Sequence, residues 1–315
     1  MISVSKTVII TGGNTGLGFH TARHIALADK SWHILLACRN ASKAESAVQY
    51  LISRTGHQDI SWLGLDLASL SSVRNFVSAF REKKFPPLFG VICNAGIALG
   101  DRPEFSPDGI EVTFATNHLG HYLLVHLLSP YIESRGRVIF VSSELHRSDG
   151  PMKSFLPEYS RARALAFPEA AGEPVRHSGS HRYATTKLCN VLCAYEFARR
   201  FGIMNGKKIT VNAMNPGMMP DTGLGGLKKR IFLRVFMKFI LPVFKPGVST
   251  TPEKSGLDLA SLLASEDFKD LSGRYFDGTR QVPSSDESYD LDKALDLWNA
   301  SFDLAKIRPE ETILR

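Results

Sequence analysis

Residues 8–18 read Val8-Ile9-Ile10-Thr11-Gly12-Gly13-Asn14-Thr15-Gly16-Leu17-Gly18. The first three are β-branched and apolar, the pattern of a short buried strand. Beyond Gly18, Ala22, Ile25, Ala26 and Leu27 recur at helical spacing. Strand, glycine-rich turn and helix in that order bring backbone amides and a helix N-terminus up to a pyrophosphate. Gly12 permits the tight turn, and Gly16 and Gly18 let backbone and ligand approach with no Cβ between them. The spacing is G-x-x-x-G-x-G, not the commoner G-x-G-x-x-G.

The same alternation continues downstream. Trp32–Cys38 reads as the second strand, and no acid stands at its end to hold a ribose 2′-hydroxyl. Arg39 and, four residues on, Lys43 stand there instead. A guanidinium bonds bidentately to a 2′-phosphate, so the expected cofactor is NADP(H). A helix to about Arg54, a strand at Ile60–Leu65, a helix at Ser69–Lys84 and a strand at Leu88–Cys93 follow. Asp66 closes the third strand, where it can accept from an adenine amino group or cap the next helix. Asn94-Ala95-Gly96 follows the fourth strand, at the carboxyl edge where such sheets bind ligands. Further on, the pattern predicts a long helix at Ile110–Leu128, a strand at Arg137–Val141 and a helix over His181–Phe197. It then predicts a strand at Ile209–Ala213, a helix at Pro252–Leu263, a last strand at Gly273–Phe276 and a C-terminal helix at Tyr289–Lys306. Strand–helix alternation of this kind predicts an α/β fold, a doubly wound parallel sheet of about seven strands with helices on both faces. One domain, residues 1–315, accounts for the chain.

Composition agrees with a globular protein holding a large core: 43% hydrophobic and 22% charged residues. Cys38, Cys93, Cys189 and Cys193 form no disulfide framework, which suits a reducing, cytoplasmic compartment. Met1–Lys6 runs straight into a strand, so no signal peptide is expected. No apolar run reaches the ~20 residues that span a bilayer. The net charge of +7 comes with no nucleic-acid reading module, so no nucleic acid is expected as a partner. His118 and His121 lie three apart, but no third ligand has suitable spacing and no metal is expected.

Tyr183 and Lys187 fall four apart on the predicted helix, and so on one face. A phenol has an ordinary pKa of about 10 and is a poor acid at neutral pH. An ammonium one turn away favours the phenolate, so Lys187 is expected to lower the Tyr183 pKa and ease proton exchange with a carbonyl oxygen. Ser142 and Ser143 close the fifth strand.

Thr11–Gly18, Asn94-Ala95-Gly96, Asn117, Val141-Ser142-Ser143, Tyr183-x-x-x-Lys187 and Asn215-Pro216-Gly217 occur in this order. In this the chain resembles the short-chain dehydrogenase/reductase family over residues 6 to 280, and with it a Rossmann sheet. Trp32–Arg39, Leu65–Leu70, Asn117–His121 and Lys187–Asn190 make it most similar to the branch holding light-dependent protochlorophyllide reductases and retinol dehydrogenases. The resemblance implies that Ser143 binds the substrate carbonyl, Tyr183 exchanges the proton, Lys187 assists and holds the nicotinamide ribose, and Asn117 completes the relay to solvent. It implies a cofactor site of Gly12, Asn14, Thr15, Gly16, Leu17, Gly18, Arg39, Lys43, Asp66, Leu67, Asn94, Ala95, Gly96, Tyr183, Lys187, Pro216, Gly217 and Thr222. The light-dependent reductases resembled here show Tyr-Pro-Gly-Cys where this chain has Asn215 and Met218, and commonly Ala where it has Gly96.

Forty positions separate Ser143 from Tyr183, where many family members have about a dozen. The insertion, at about 144–182, reads as a substrate-side lid, with disorder as the alternative and with His146, His177 and His181 as candidate contacts. A second special segment, about 221–247, contains Leu227–Lys245, in which Lys228, Lys229, Arg230, Arg234, Lys238 and Lys245 interrupt a very apolar run. It reads as a basic amphipathic flap over an apolar cleft, a peripheral membrane contact, or both. The expectation is therefore an NADPH-dependent oxidoreductase moving hydride to or from the carbonyl or alcohol carbon of a lipophilic substrate, such as a retinal-like aldehyde or ketone. The alternatives are a protochlorophyllide-type C=C reductase and a non-catalytic NADP(H)-sensing module. By the resemblance a homodimer is also expected, although the insertion and the 227–245 segment work against it.

Overall fold

A computed structural model describes residues 4–149, 156–168, 178–204, 206–219 and 250–314. The strands are β1 (Lys6–Thr11), β2 (Trp32–Cys38), β3 (Ile60–Gly64), β4 (Leu88–Cys93), β5 (Ile132–Val141), β6 (Thr210–Asn215), β7 (Tyr275–Asp277) and β8 (Arg280–Val282). Their order in the sheet is β3-β2-β1-β4-β5-β6-β7-β8, and all pairs are parallel except β7 with β8. Every residue of β2 is buried, as a strand covered on both faces requires.

Period-two alternation sorts the strand side chains into two cores. Ile9, Leu35, Ala37 and Val91 point into one, and Val8, Ile10, Ile34, Leu36 and Ile92 into the other. On the first face lie α3 (Leu70–Glu82), α5 (Gly120–Leu128), α7 (Gly179–Gly202) and α9 (Leu291–Leu304). On the second lie α1 (Gly16–Ala28), α2 (Ala41–Thr55) and α8 (Pro252–Ala264). The chain leaves β1 for β2 and β3 on one side, then returns to β4 on the other. The crevice beyond the ends of β1 and β4 is thus the switch point of the sheet, where such folds bind ligands.

Three elements differ from the sequence expectation. The sheet has an eighth strand, because Asp277 pairs with Arg280 across a two-residue turn in which Gly278 has φ +62°. The predicted Ile110–Leu128 helix is interrupted: α4 (Val112–Phe114) passes through a π turn (Ala115–Leu119) into α5. The described centre of the insertion is packed into the molecule. There α6 (Ala162–Ala166) buries Ala162 and Ala166, while the Tyr159 hydroxyl and the Ala162 N–H both donate to Asp296 of α9, at 2.7 and 2.9 Å. Residues 150–155, 169–177 and 220–249 lie outside the described residues, and with them His177, Thr222 and the 227–245 segment.

Candidate active site

The glycine loop begins where β1 ends. Gly12 (φ +64°) and Gly16 (φ +54°) adopt backbone conformations that L side chains rarely take. A Cβ at Gly18 would lie 2.7 Å from both Asn94 Nδ2 and Gly12 O, so the cradle closes only around hydrogen. Five of the six described helices of thirteen residues or more carry a side-chain cap: Asn40, Ser69, Ser178, Thr251 and Asp290. The exception is α1, whose N-cap Thr15 makes no such bond and whose first turn holds no acid. Its orphan N–H groups and positive dipole end are left for an anion. Thr15 is exposed, Asn14 half-buried, and Leu17 is buried in the core.

Arg39 and Lys43 are exposed at the end of β2 and the first turn of α2, with no carboxylate partner among the described residues. Asn40 caps α2 through Lys43 N–H (2.9 Å). Ser69, not Asp66, caps α3. Asp66 Oδ1 accepts from Ala68 N–H at 3.0 Å, and the half-buried carboxylate remains available to a ligand. Leu67 is buried, its carbonyl against Gly120.

The Thr11 hydroxyl joins the loop to β4 by accepting from Asn94 N–H (2.9 Å) and Ala95 N–H (3.0 Å). Asn94 Nδ2 donates back to Thr11 O at 2.7 Å. Thr11 Oγ1 also lies 2.9 Å from Nε2 of the fully buried His121, whose Nδ1 is 3.1 Å from Asn117 O. Burial pulls the His121 imidazole down to about 4, so it is neutral. A carbonyl can only accept, hence Nδ1 carries the proton and Nε2 accepts from Thr11. His118 bonds instead to Ser301 Oγ (2.9 Å), so the two histidines have separate partners.

The π turn presents Asn117 to the site. Its amide accepts from Ile97 N–H (2.8 Å) and donates to Ile97 O (2.9 Å) and Thr186 Oγ1 (3.0 Å). Asn117 thereby ties the loop after Gly96 to the helix that carries Tyr183 and Lys187. A Cβ at Gly96 would stand 3.3 Å from Asn117 Oδ1 and 3.7 Å from Lys187 Nζ. Glycine loop, β4 loop, π turn and α7 therefore meet at one place.

Lys187 Nζ donates to Val141 O (3.0 Å) and sits 5.3 Å from the centre of the Tyr183 ring. Ser142 Oγ donates to Lys187 O (2.8 Å), and Asn190 Nδ2 to Val141 O (3.2 Å). These three bonds fasten the end of β5 to α7 and set Ser143 beside the turn of α7 that carries the lysine. Ser143 Oγ accepts from Leu145 N–H at 3.3 Å. That bond occupies an oxygen lone pair, not the hydroxyl hydrogen, which stays available to a substrate oxygen.

The electrostatics depart from expectation. Desolvation, not the neighbouring ammonium, dominates the phenol: the Tyr183 pKa is pushed up to about 12. Desolvation also pulls the buried Lys187 down to about 8. The tyrosine is thus a protonated donor throughout the neutral range, and the lysine is the group poised to change charge.

Pro216 is buried and Gly217 follows with φ +77°; the Gly217 N–H donates to Asn215 Oδ1 (3.1 Å). His146, expected as a lid contact, is fully buried behind Ser143, and His181 is half-buried against its cap Ser178 (2.8 Å). Thr11, His121, Thr186 and Asn190 are structural partners of the site that the sequence reading missed. The only signal was position: a hydroxyl at a strand end, and polar side chains three or four residues from expected ones.

The sequence profile described as short chain dehydrogenase matches residues 6–160. The chain is 33% identical over 299 residues to the WW domain-containing oxidoreductase of Gallus gallus, covering 94% of this chain and 67% of that one. It is 33% identical over 314 residues to protochlorophyllide reductase A of Hordeum vulgare, covering 93% and 79%. Among solved structures, the Pseudomonas aeruginosa RhlG/NADP active-site complex aligns with TM-score 0.63 at 19% identity, over 88% of this chain and 97% of that one. A blue fluorescent protein from a metagenomic library, in complex with NADPH, aligns with TM-score 0.62 at 23% identity, over 87% and 96%.

Proposed function

This chain belongs to the short chain dehydrogenase family of oxidoreductases, and on that footing we propose that it binds NADP(H) and reduces the carbonyl group of a lipophilic substrate, or oxidises the corresponding alcohol. The observation that carries this reading is that Lys187 Nζ lies 5.3 Å from the Tyr183 ring, bonds Val141 O two residues before Ser143, and borders the Asn94–Gly96 loop that packs on the glycine cradle. The cofactor reading rests on the uncapped start of α1, the glycines whose Cβ positions are filled, and Arg39 and Lys43, which have no carboxylate partner among the described residues. The similar folds solved in complex with NADP or NADPH are consistent with it. In this reading Gly12 to Gly18 hold the pyrophosphate, Arg39 and Lys43 the 2′-phosphate, and Lys187 the nicotinamide ribose.

When bound, the reduced nicotinamide supplies hydride. Ser143 donates its free hydroxyl hydrogen to the substrate oxygen and stabilises the charge that develops there. Tyr183 then gives that oxygen its proton. A phenol near 12 keeps its proton at neutral pH yet is a stronger acid than the product alcohol, so it gives the proton up once negative charge develops on the substrate oxygen. Lys187, charged below about pH 8, stabilises the tyrosinate left behind. Asn117 holds the loop and α7 in register. What favours a lipophilic substrate is the sequence of 227–245, apolar residues interrupted by lysines and arginines, and a membrane contact there is part of the proposal.

Tyr183→Phe is expected to abolish NADPH-dependent reduction of all-trans-retinal and of simple aldehydes while NADPH binding, followed by fluorescence titration, stays within about twofold. Undiminished turnover would remove Tyr183 from the role. The likeness to protochlorophyllide reductase supports a second reading, C=C reduction of a tetrapyrrole. Its distinguishing outcome is loss of protochlorophyllide absorbance only under illumination. NADPH binding with no turnover of any of these substrates would favour a sensing module.

A further inference from the structure

His146 stands three residues beyond Ser143 and is completely buried. Its Nδ1 is 2.7 Å from Ser143 O, and its Nε2 is 3.0 Å from the Ser285 N–H. These partners make opposite demands. A carbonyl oxygen only accepts, so Nδ1 must carry hydrogen; an amide N–H only donates, so Nε2 must carry a lone pair. One neutral tautomer satisfies both. Burial agrees, holding the ring down at about 4 and therefore uncharged at neutral pH.

The ring locks a turn that ends on the reactive hydroxyl. Ser143 O also accepts from His146 N–H (3.1 Å) and, at 3.4 Å, from the hydroxyl of Tyr275, whose ring packs 4.7 Å from the imidazole. The 3-10 turn Glu144–His146 held in this way delivers Leu145 N–H to Ser143 Oγ. With that N–H in place the serine rotamer is set and its own hydrogen faces away from the turn. Without it, Oγ is free to sample its other staggered positions. Ser285 comes from the far end of the chain, and Arg147, next to His146, donates to Pro283 O in the same segment.

We propose that His146, kept as the neutral Nδ1–H tautomer between Ser143 O and Ser285 N–H, is a positioning residue that aims the Ser143 hydroxyl at the substrate oxygen. The proposal rests on the reading of Ser143 as the carbonyl-binding group, and it adds the device that aims it. Because His146 acts through Ser143, its removal can cost no more than Ser143→Ala. Losing a preorganised donor to a developing oxyanion typically costs about 10²- to 10³-fold in kcat.

The test has a spectroscopic and a kinetic arm. In long-range ¹H–¹⁵N spectra of the histidine-labelled full chain, where buried His121 also carries its hydrogen on Nδ1, the His146 imidazole should show the Nδ1–H pattern unchanged between pH 6 and pH 8. It should vanish in His146→Asn. An Nε2–H pattern, or titration within that window, overturns the proposal. In the kinetic arm, with NADPH and all-trans-retinal, His146→Phe should lower kcat roughly tenfold to a hundredfold with NADPH affinity within about twofold. His146→Asn, which keeps an N–H near the Nδ1 position, should recover most of the loss. On a Ser143→Ala background His146→Phe should cost almost nothing more; losses that multiply overturn the proposal, because His146 would then act independently of Ser143. A wild type that binds NADPH but turns over neither retinal nor simple aldehydes defeats the functional reading instead, and the imidazole spectrum then decides the lock.

Discussion

Lys187 shows how far a single residue departs from its textless propensity: its side chain is 3% exposed, yet it is an amine. In the unfolded chain its pKa is the ordinary 10.5, and in the fold it is about 8. Between those values the native state binds fewer protons than the unfolded state, so stability rises with pH across pH 8 to 10.5. Below pH 8 the full penalty applies, about 3 kcal/mol from a shift of that size. Lys187→Met removes the charge and loses one hydrogen bond to Val141 O, which keeps its bond from Asn190. At about 1 kcal/mol for that bond, the variant should be more stable than the wild type by roughly 2 kcal/mol at pH 7. The gain should fade by pH 10. Urea denaturation at the two pH values measures it, and a variant less stable at pH 7 would mean that the ammonium is well solvated by its partners. The Tyr183–Lys187 pair was legible from its spacing of four, whereas the direction of the phenol shift was not, because desolvation depends on what other segments pack over the ring.

At the scale of elements, the most informative departure is the π turn at Ala115–Leu119. Hydrophobic periodicity marked a helix from Ile110 to Leu128, and only a widened turn within it lets Asn117 reach Ile97 and Thr186 at once. The turn leads directly into Gly120, where a Cβ would stand 2.3 Å from the carbonyl oxygen of Leu67. The obstacle is backbone, so it cannot rotate away. Gly120→Ala should therefore cost about 3 kcal/mol, the upper end of overpacking penalties, although alanine is the better helix former. Chemical denaturation checks this; a neutral or stabilised variant would show that α5 can move off the Asp66–Leu67 strand end. The insertion teaches a related lesson. Its length suggested a lid, but Tyr159, Ala162 and Ala166 are core residues, the first two held by Asp296, a carboxylate more than a hundred positions away.

Across the whole molecule, buried polar pairs tie segments that the sheet alone would leave independent. Arg182, adjacent to Tyr183, faces Glu111 at the start of α4 (3.3 Å), with exposures of 8% and 1%. Its guanidinium also donates to Gly100 O (2.6 Å) and Asp101 O (3.0 Å), fixing the loop beyond Gly96. Glu111 in turn caps α4 through Phe114 N–H (2.8 Å). Arg182→Met leaves that carboxylate buried without its counter-charge, and should destabilise the protein by about 3–5 kcal/mol. Adding Glu111→Gln should restore part of the loss. A single variant within about 0.5 kcal/mol of wild type in denaturant titrations would show the pair to be dispensable.

From residue order and chemistry alone came the β1–turn–α1 unit, the alternation of strands and helices, the lack of an acid after β2, and the Tyr183–Lys187 spacing. Each is local: a period of two or 3.6, a glycine in a turn, or two side chains one helical turn apart. What required the folded chain was every contact between distant segments. His146 against Ser285, His121 against Thr11, the edge hairpin at Gly278 and the burial that moves Lys187 and Tyr183 in opposite directions all belong to this class. Their energies depend on desolvation and on partners supplied from elsewhere in the chain, quantities that no window of neighbouring residues contains.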